Sequence, residues 1–219
     1  MKSLILKSKF YLVILTLLAF MSCSDDDMSE PQVQAPSVSY SATTLDAMFF
    51  TAGNSPAPTL NWNGNQGSFY LANTINGLNI NSTTGVLNWT HGLPAGTHDV
   101  QVIAVNSAGQ TTINMTINNP LQGTFTGTYD NTYFFEIEFM ENGTLLLSAD
   151  DVVNPYTATG TWAINGSNIQ VDYTYDLGGD YSLSGPLTLG TNAVYSGDWF
   201  YDHGTISGNE GGIFEITLN

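Results

Sequence analysis

Short segments of alternating apolar and polar residues, separated by turns, are the feature that most limits how this chain can fold. In residues 133–139 every odd position is aromatic or aliphatic, whereas Glu136 and Glu138 occupy even positions. Residues 169–175 also place apolar or aromatic residues at every odd position. A period of two puts alternate side chains on opposite faces of a strand, and residues 37–119 show no helical period. We therefore predict an all-β protein.

The second half of the chain, residues 121–219, has the pattern of consecutive hairpins. Turn signals such as Asn142-Gly143 and Asn165-Gly166 separate about eight predicted strands. These strands are GTFTGTY, FFEIEF, TLLLSA, YTATGTWAI, NIQVDYTY, YSLSGPLTL, AVYSGDW and GIFEITL. The pattern predicts a small antiparallel up-and-down β-barrel or an open meander. The barrel is favoured because closure leaves no exposed strand edge.

Residues 37–119 contain shorter predicted strands between recurring turn residues. The candidates are VSYSA, AMFFT, TLNW, SFYLA, GVLNW, HDVQVIAV and TINMTI. In the turns, Gly85 follows Ser-Thr-Thr where a left-handed residue costs little, and residues 106–109 can close the last hairpin. Short strands at such regular spacing predict a β-sandwich.

A resemblance supports the same fold. The segment GLNINSTTGVLNWTHGLPAGTHDVQVIAVNSAGQTTINMTI resembles the Ig-like, or cadherin-like, repeat of bacterial proteins in its Gly-Leu strand and its Thr-Gly, Ala-Gly-Thr and Asn-Ser-Ala-Gly turns. The resemblance covers roughly residues 51–117 and implies an Ig-like sandwich. Calcium-binding members of that family use Asp-rich linkers, whereas this part of the chain has only Asp46 and Asp99. We therefore expect no calcium in the sandwich.

A second resemblance covers nearly all of residues 121–219. The elements GTFTGTY, ENGT, GTWAINGSNIQVDY and YSGDW are similar to those of small lipocalin-like domains of bacterial surface proteins. The resemblance implies a β domain whose mouth can hold a ligand.

The first 22 residues have the three parts of a secretory signal. Lys2, Lys7 and Lys9 precede an apolar run over residues 10–21, which as a helix would be too short to span a bilayer. Ser22-Cys23 then resembles a bacterial lipobox, in which the cysteine is acylated and becomes the first residue. Cys23 is the only cysteine, so it cannot form an internal disulfide.

The residues after the cysteine indicate where the anchored protein would face. Ser24, Asp25, Asp26 and Asp27 are similar to the acidic signal that exports lipoproteins to the outer face of the outer membrane. A periplasm-facing anchor is the alternative. We predict a signal peptide over 1–22, an acidic tether over 23–36, an Ig-like sandwich over 37–119 and a lipocalin-like meander over 121–219.

The distribution of charge excludes several functions. The chain has no Lys or Arg after Lys9, although it contains 19 Asp and Glu residues. Without cations to neutralise phosphates, nucleic-acid binding is not expected. Repulsion between the many carboxylates would have to be relieved by salt or by bound cations such as calcium. The candidate calcium site is the turn that carries Asp172, Asp176 and Asp180.

No catalytic constellation is recognisable in the sequence. His91, His98 and His203 stand apart without metal-ligand spacing, and no nucleophile elbow or phosphate loop occurs. Acidic pairs such as Asp150-Asp151 occur by chance in so acidic a chain, so we expect no glycosidase. The sequence predicts a non-catalytic protein without a required cofactor.

The best candidate for ligand contact is GDWFYDHG. It offers Trp199, Phe200 and Tyr201 as aromatic surfaces, with Asp198 and Asp202 as hydrogen-bond acceptors. Such a surface suits an extracellular glycan or a partner protein, and recognition of either is the leading expectation. The alternatives are a carrier holding a small apolar ligand in the barrel mouth and a structural spacer or coat protein without a ligand.

Overall fold

The computed structural model describes residues 32–219. The signal peptide, Cys23 and the acidic residues 24–27 lie outside the described residues, so the anchor and export predictions stay predictions. Residues Val33–Asn219 form one compact unit. No helix long enough and apolar enough to cross a bilayer occurs within residues 32–219.

Residues 32–219 form seventeen β-strands and the loops between them. The strands are β1 Ser37–Ser39, β2 Thr44–Asp46, β3 Gly53–Asn54, β4 Thr59–Asn61, β5 Ser68–Leu71, β6 Leu78–Ile80, β7 Leu87–Trp89, β8 Gly96–Asn106, β9 Gly109–Asn119, β10 Gly123–Tyr129, β11 Tyr133–Phe139, β12 Thr144–Asp150, β13 Tyr156–Asn165, β14 Asn168–Tyr175, β15 Asp180–Leu189, β16 Ala193–Tyr201 and β17 Glu210–Leu218. The prediction of an all-β protein is therefore confirmed.

The first nine strands form an Ig-like β-sandwich. One sheet has the order β2-β9-β8-β5, with β2 parallel to β9, and another has the order β3-β7-β6. Their inner faces share one core, in which Val102 and Ile117 of the first sheet pack with Leu87 and Trp89 of the second. A two-stranded pair, β1-β4, completes the sandwich.

The two turns singled out in the sequence form as expected. Gly85 has a φ of +73°, and its backbone N–H donates to the Asn81 carbonyl at 2.9 Å. The Asn106 side chain accepts hydrogen bonds from the backbone of Ala108 and Gly109, which closes the β8–β9 hairpin. A side chain such as that of Asn106, which accepts hydrogen bonds from the backbone two and three residues later, stabilises a turn through local contacts alone.

One predicted strand of the sandwich is wrong. Residues 47–51, the segment AMFFT, form a turn rather than a strand, and Phe50 takes the left-handed conformation with a φ of +53°. The apolar side chains here are explained by their contacts outside the sandwich. Phe49 is buried in the core of the barrel, and Phe50 packs against the same core.

The last eight strands form a closed antiparallel barrel. Each strand from β10 to β17 pairs with the next along the chain, and β17 pairs with β10 to close the ring. Closure aligns Phe125 with Leu218 and Tyr129 with Phe214. The eight predicted strands and the preference for a barrel over an open meander are confirmed.

The barrel interior is filled by side chains over most of its length. Inward positions of successive strands carry Phe125, Ile137, Leu147, Val171, Leu183, Tyr195 and Ile216, all of which are almost completely buried. At the end where β10 begins, Phe49 of the sandwich and Leu121 join this core, and the ring centroids of Phe49 and Phe125 lie 6.3 Å apart. The sandwich therefore covers one end of the barrel, and the opposite end is the uncovered one.

Candidate functional site: an aromatic mouth

The end of the barrel away from the sandwich is open and lined by aromatic side chains. The loops that follow β10, β12, β14 and β16 all lie at this end, around a cavity of about 280 Å³. We define the aromatic mouth as the six lining residues Tyr129, Asp150, Tyr173, Tyr175, Tyr181 and Trp199. This volume is close to the lower limit of roughly 300 Å³ for small-molecule pockets.

Strand alternation and register bring these residues together. Tyr173 and Tyr175 occupy consecutive inward positions near the end of β14, and Tyr173 pairs directly with Tyr181 of β15. Trp199 of β16 pairs with Leu183, two residues further along β15. Because inward positions recur every second residue, the inward residues nearest the open end of these strands point into the mouth.

The rings meet at several angles and form walls rather than one flat platform. Tyr173 and Tyr181 are stacked, with centroids 5.6 Å apart, and Tyr175 meets each of them edge-on at 5.5 Å. Trp199 meets Tyr129 at 6.2 Å and Tyr181 at 6.1 Å, also in edge arrangements. The mouth therefore presents both ring faces and ring edges to a ligand.

Two carboxylates accept hydrogen bonds from these aromatic side chains. The Tyr129 hydroxyl donates to Oδ1 of Asp150, and the Trp199 indole N–H donates to Oδ1 of Asp130 at 3.2 Å. Asp150 ends β12 with a φ of +73°, a conformation that Asp adopts more readily than most non-glycine residues. Hydrogen bonds to ionised acceptors are among the stronger ones in proteins, so they hold both rings in place.

Three tyrosines of the mouth, Tyr129, Tyr173 and Tyr175, have a raised pKa. Burial, followed by the hydrogen bond to Asp150, raises the pKa of Tyr129 well above its usual value. Burial also raises the pKa of Tyr173 strongly and that of Tyr175 to about 12. These three hydroxyls therefore stay protonated at physiological pH, and the negative charge of the mouth resides on its carboxylate.

Two of the five residues predicted for ligand contact lie at this site. Trp199 forms part of the aromatic mouth. Tyr201 lies at its rim, with 46% of its surface exposed and its ring centroid 5.2 Å from that of Trp199. The sequence-based choice of the Trp199 region thus identified one wall of the cavity.

The other three predicted contact residues do not share that surface. Phe200 is only 2% exposed and pairs with Ser182, whose hydroxyl donates to the carbonyls of Asp202 and Thr205. Asp198 is exposed on the outer face of β16. Strand alternation explains the positions of Phe200 and Asp198, since neighbouring residues of a strand point to opposite faces. Asp202 lies beyond the end of β16 and takes the left-handed conformation with a φ of +70°.

The predicted calcium residues are not gathered into a site. Asp172 accepts from the backbone N–H of Gly204 at 2.7 Å, Asp176 accepts from the Thr157 hydroxyl, and Asp180 accepts from the Thr174 hydroxyl at 2.7 Å. No group of three His, Cys, Asp or Glu side chains that could hold a metal ion occurs in residues 32–219. The turn therefore lacks the set of converging oxygen ligands that calcium requires.

Most of the aromatic mouth was not predicted as a site. The period-two pattern placed Tyr173 and Tyr175 on one face, but it gave no reason to join them to Tyr129 and Trp199. Asp150 was considered only as half of an acidic pair with Asp151. Barrel closure brings these residues together, and the available signal was that the tyrosines and Trp199 occupy inward positions near strand ends. Asp150 follows the inward residue Ala149 of β12 and lies outside that alternation, so the pattern gave no signal for it.

Comparison with known proteins adds little to this description. The chain matches no protein-family model and no curated protein sequence. Among solved structures it is similar to human protocadherin-24 EC1-2, with 8% identity, a TM-score of 0.40, and coverage of 86% of this chain and 98% of that one. It is also similar to a quinonprotein alcohol dehydrogenase-like protein from Bacteroides thetaiotaomicron, with 11% identity and a TM-score of 0.33. The second match covers 86% of this chain and 62% of that one, and neither assigns a family or a function.

Proposed function

We propose that this protein is a non-catalytic surface lipoprotein that binds a small extracellular ligand in the aromatic mouth of its barrel. The observation that carries the proposal is the cavity itself, about 280 Å³ in volume, at the open end of a barrel that is otherwise filled. A small concave site with aromatic walls and a few polar groups is typical of ligand-binding pockets. This arrangement also suits the lipocalin-like character expected of residues 121–219.

The packing below the mouth argues against a carrier of long apolar chains. Leu147, Val171 and Leu183 fill the barrel interior beneath the cavity and are almost completely buried. A long acyl chain would need a hollow interior. The absence of Lys and Arg after residue 9 also leaves no cation to pair with a fatty-acid carboxylate.

Glycan recognition is the second candidate, and the Trp199–Tyr201 pair favours it. The two rings lie at the rim with centroids 5.2 Å apart, and Tyr201 is partly exposed. Aromatic faces can stack on the apolar face of a sugar ring, while Asp150 and the tyrosine hydroxyls can hydrogen-bond its hydroxyls. The rim could therefore hold one sugar unit at the edge of the cavity.

The lipoprotein part of the proposal rests on Ser22-Cys23 and on the acidic residues after it. It is tested by metabolic labelling with a palmitate analogue in a bacterium that processes lipoproteins. The wild-type protein should be labelled and remain with the membrane fraction, whereas Cys23→Ala should be unlabelled. Wild-type protein recovered without acyl chains from the medium would contradict the anchor.

The binding part is tested on the mature full-length protein in a non-ionic polyoxyethylene detergent. Tryptophan fluorescence and thermal shift would be measured against a panel of monosaccharides, oligosaccharides, neutral apolar probes and organic cations. Binding should be lost in Trp199→Ala and kept in Tyr70→Ala, which removes an exposed tyrosine of the sandwich. If no member of the panel binds, or if binding is indifferent to Trp199, the mouth is not a ligand site and the structural role stands.

A further inference from the structure

The aromatic mouth combines electron-rich rings, a carboxylate and no built-in cation. From this combination we infer that its ligand is a small organic cation, such as a quaternary ammonium or a protonated amine. The inference rests on the proposed binding function and names the ligand class of that same site.

The rings supply the first part of the argument. Aromatic faces carry negative electrostatic potential, and a cation within about 6 Å of a ring centroid is attracted to it. The centroids of Tyr129 and Tyr181 lie 6.2 Å and 6.1 Å from that of Trp199, and the three rings are inclined to one another. A compact cation in the cavity can therefore contact several ring systems at once.

The hydrogen bonds of these rings strengthen the attraction. Tyr129 donates to Asp150, and the Trp199 N–H donates to Asp130. Donation to an anion polarises the donor and shifts electron density toward its ring. The rings of Tyr129 and Trp199 are therefore more electron-rich than when the same groups donate to water.

The mouth also holds a negative charge without an internal partner. Asp150 lines the cavity and is only partly exposed, and residues 32–219 contain no Lys or Arg to pair with it. The single contact between a basic side chain and a carboxylate within that part of the chain joins His203 to Asp180, at 3.6 Å. His203 also contacts the Tyr173 carbonyl, so it interacts with the backbone of β14 rather than with Asp150. A partly buried carboxylate favours a cation, and here the cation must come from outside the chain.

The available ligand groups favour an organic cation over a metal ion. Calcium takes six to eight oxygen ligands and keeps a strong hydration shell. The mouth offers one carboxylate among aromatic walls, and the described chain provides no group of three metal-binding side chains. A weakly hydrated ammonium group instead gains from contact with ring faces. The negative charge of Asp150 also disfavours anionic ligands.

The inference is tested with choline and its neutral isostere 3,3-dimethyl-1-butanol, which replaces the nitrogen by carbon at the same shape. Binding to the mature full-length protein would be measured by tryptophan fluorescence and calorimetry at low and moderate salt. We expect choline to bind at least about tenfold more tightly than the isostere, because only choline carries the charge that the rings and Asp150 attract. This comparison uses the wild-type protein and requires no variant to fold.

Two variants with the same change of charge locate the effect. Asp150→Asn should weaken choline binding by about ten times more than it weakens binding of the isostere, since the variant loses the charge while Asn keeps a hydrogen-bond acceptor and accepts the left-handed conformation. Asp198→Asn, on the outer face of β16, should leave both affinities at the wild-type value. Equal loss in the two variants would show that choline is held by the overall charge of the protein, and the inference would fail.

The outcomes separate this inference from the proposed function. If the isostere binds as tightly as choline, or a neutral sugar binds in a Trp199-dependent manner while choline does not, the mouth is a ligand site but not a cation site. If none of these probes, nor any member of the wider panel, binds at the mouth, the proposed function fails together with the inference.

Discussion

The hydroxyl of Tyr129 donates a hydrogen bond to Oδ1 of Asp150, and this bond joins the end of β10 to the end of β12 across the intervening strand β11. Neither strand pairs directly with the other. The bond therefore holds the rim of the aromatic mouth by side chains alone, and it places a carboxylate where a ligand would enter. Stability of the rim and chemistry of the site depend on the same two residues.

We expect Tyr129 and Asp150 to be energetically coupled. A double-mutant cycle with Tyr129→Phe and Asp150→Asn should give a coupling free energy of about 1–2 kcal/mol, near the lower end of the range for hydrogen bonds to charged groups because the mouth is partly solvated. The measurement is chemical denaturation of the four proteins at neutral pH.

A neighbouring tyrosine provides the control for this cycle. Tyr133 stacks on Tyr129 with centroids 5.0 Å apart, and its side chain is about half exposed. The cycle of Tyr133→Phe with Asp150→Asn should therefore be additive within about 0.5 kcal/mol. Similar coupling in the two cycles would mean that the coupling comes from loss of any nearby hydroxyl and not from the specific hydrogen bond between Tyr129 and Asp150.

The buried tyrosines predict that the protein loses stability at alkaline pH. Burial raises the pKa of Tyr40 and Tyr175 from an ordinary value of 10.0 to about 12, and it also raises the pKa of Tyr195 well above the ordinary value. A raised pKa in the folded state means that the unfolded chain releases its proton first. Stability is therefore complete below about pH 10 and falls as the pH rises toward 12 and beyond.

Tyr195 is the residue with which to measure this effect. Its hydroxyl is buried and donates to the Ile169 carbonyl at 3.2 Å. One such tyrosine contributes a slope of about 1.4 kcal/mol per pH unit between the two pKa values. Tyr195→Phe should have a lower free energy of unfolding than the wild type at pH 8. Between pH 10 and pH 12, however, its free energy of unfolding should fall by less than that of the wild type, as measured by urea denaturation. An identical pH dependence in the variant would contradict this assignment.

The sequence predicted the barrel well because the signals for it are local. Residues 133–139 alternate with period two, and Asn142-Gly143 makes a tight turn in which Gly143 has a φ of +85°. Each hairpin of the barrel can therefore be recognised separately, and closure follows from the need to remove the last two edges. No long-range information was needed.

The sequence did not predict the parts that depend on contacts between distant residues. Phe49 and Phe50 look like strand residues, but their apolar surface serves the barrel and not the sandwich. Trp199, which the sequence predicts as a ligand contact, lines the cavity, whereas strand alternation turns the adjacent Phe200 to the other face. Asp150 gains its role only from Tyr129, which is 21 residues away along the chain.

Phe49 should couple the stability of the sandwich to that of the barrel. It is contributed by the loop after β2 but lies in the barrel core, only 4% exposed. We expect Phe49→Ala to lower the free energy of unfolding by about 3–5 kcal/mol, the usual cost of truncating a buried aromatic residue. The measurement is denaturation followed by tryptophan fluorescence, which reports on Trp89 in the sandwich and Trp162 in the barrel.

Met48, the residue before Phe49, provides a control for truncating a large apolar side chain in the same loop. Met48 is 67% exposed, so Met48→Ala should change stability by less than about 0.5 kcal/mol. In Phe49→Ala we expect the barrel to lose stability along with the sandwich. A barrel transition that is unchanged in this variant would show that the contact with Phe49 contributes nothing to the barrel.

Two glycines set how closely β15 and β16 approach inside the barrel. A Cβ atom on Gly197 would lie 2.2 Å from the Ser184 carbonyl oxygen, and one on Gly185 would lie 2.0 Å from that of Ser196. Because these neighbours are backbone atoms, the strands would have to separate, and Gly197→Ala should cost about 1–3 kcal/mol. Gly190→Ala, in the loop between the same strands with no atom nearer than 4.0 Å, should cost much less. Thermal unfolding of the two variants tests this, and equal melting temperatures would contradict the close approach.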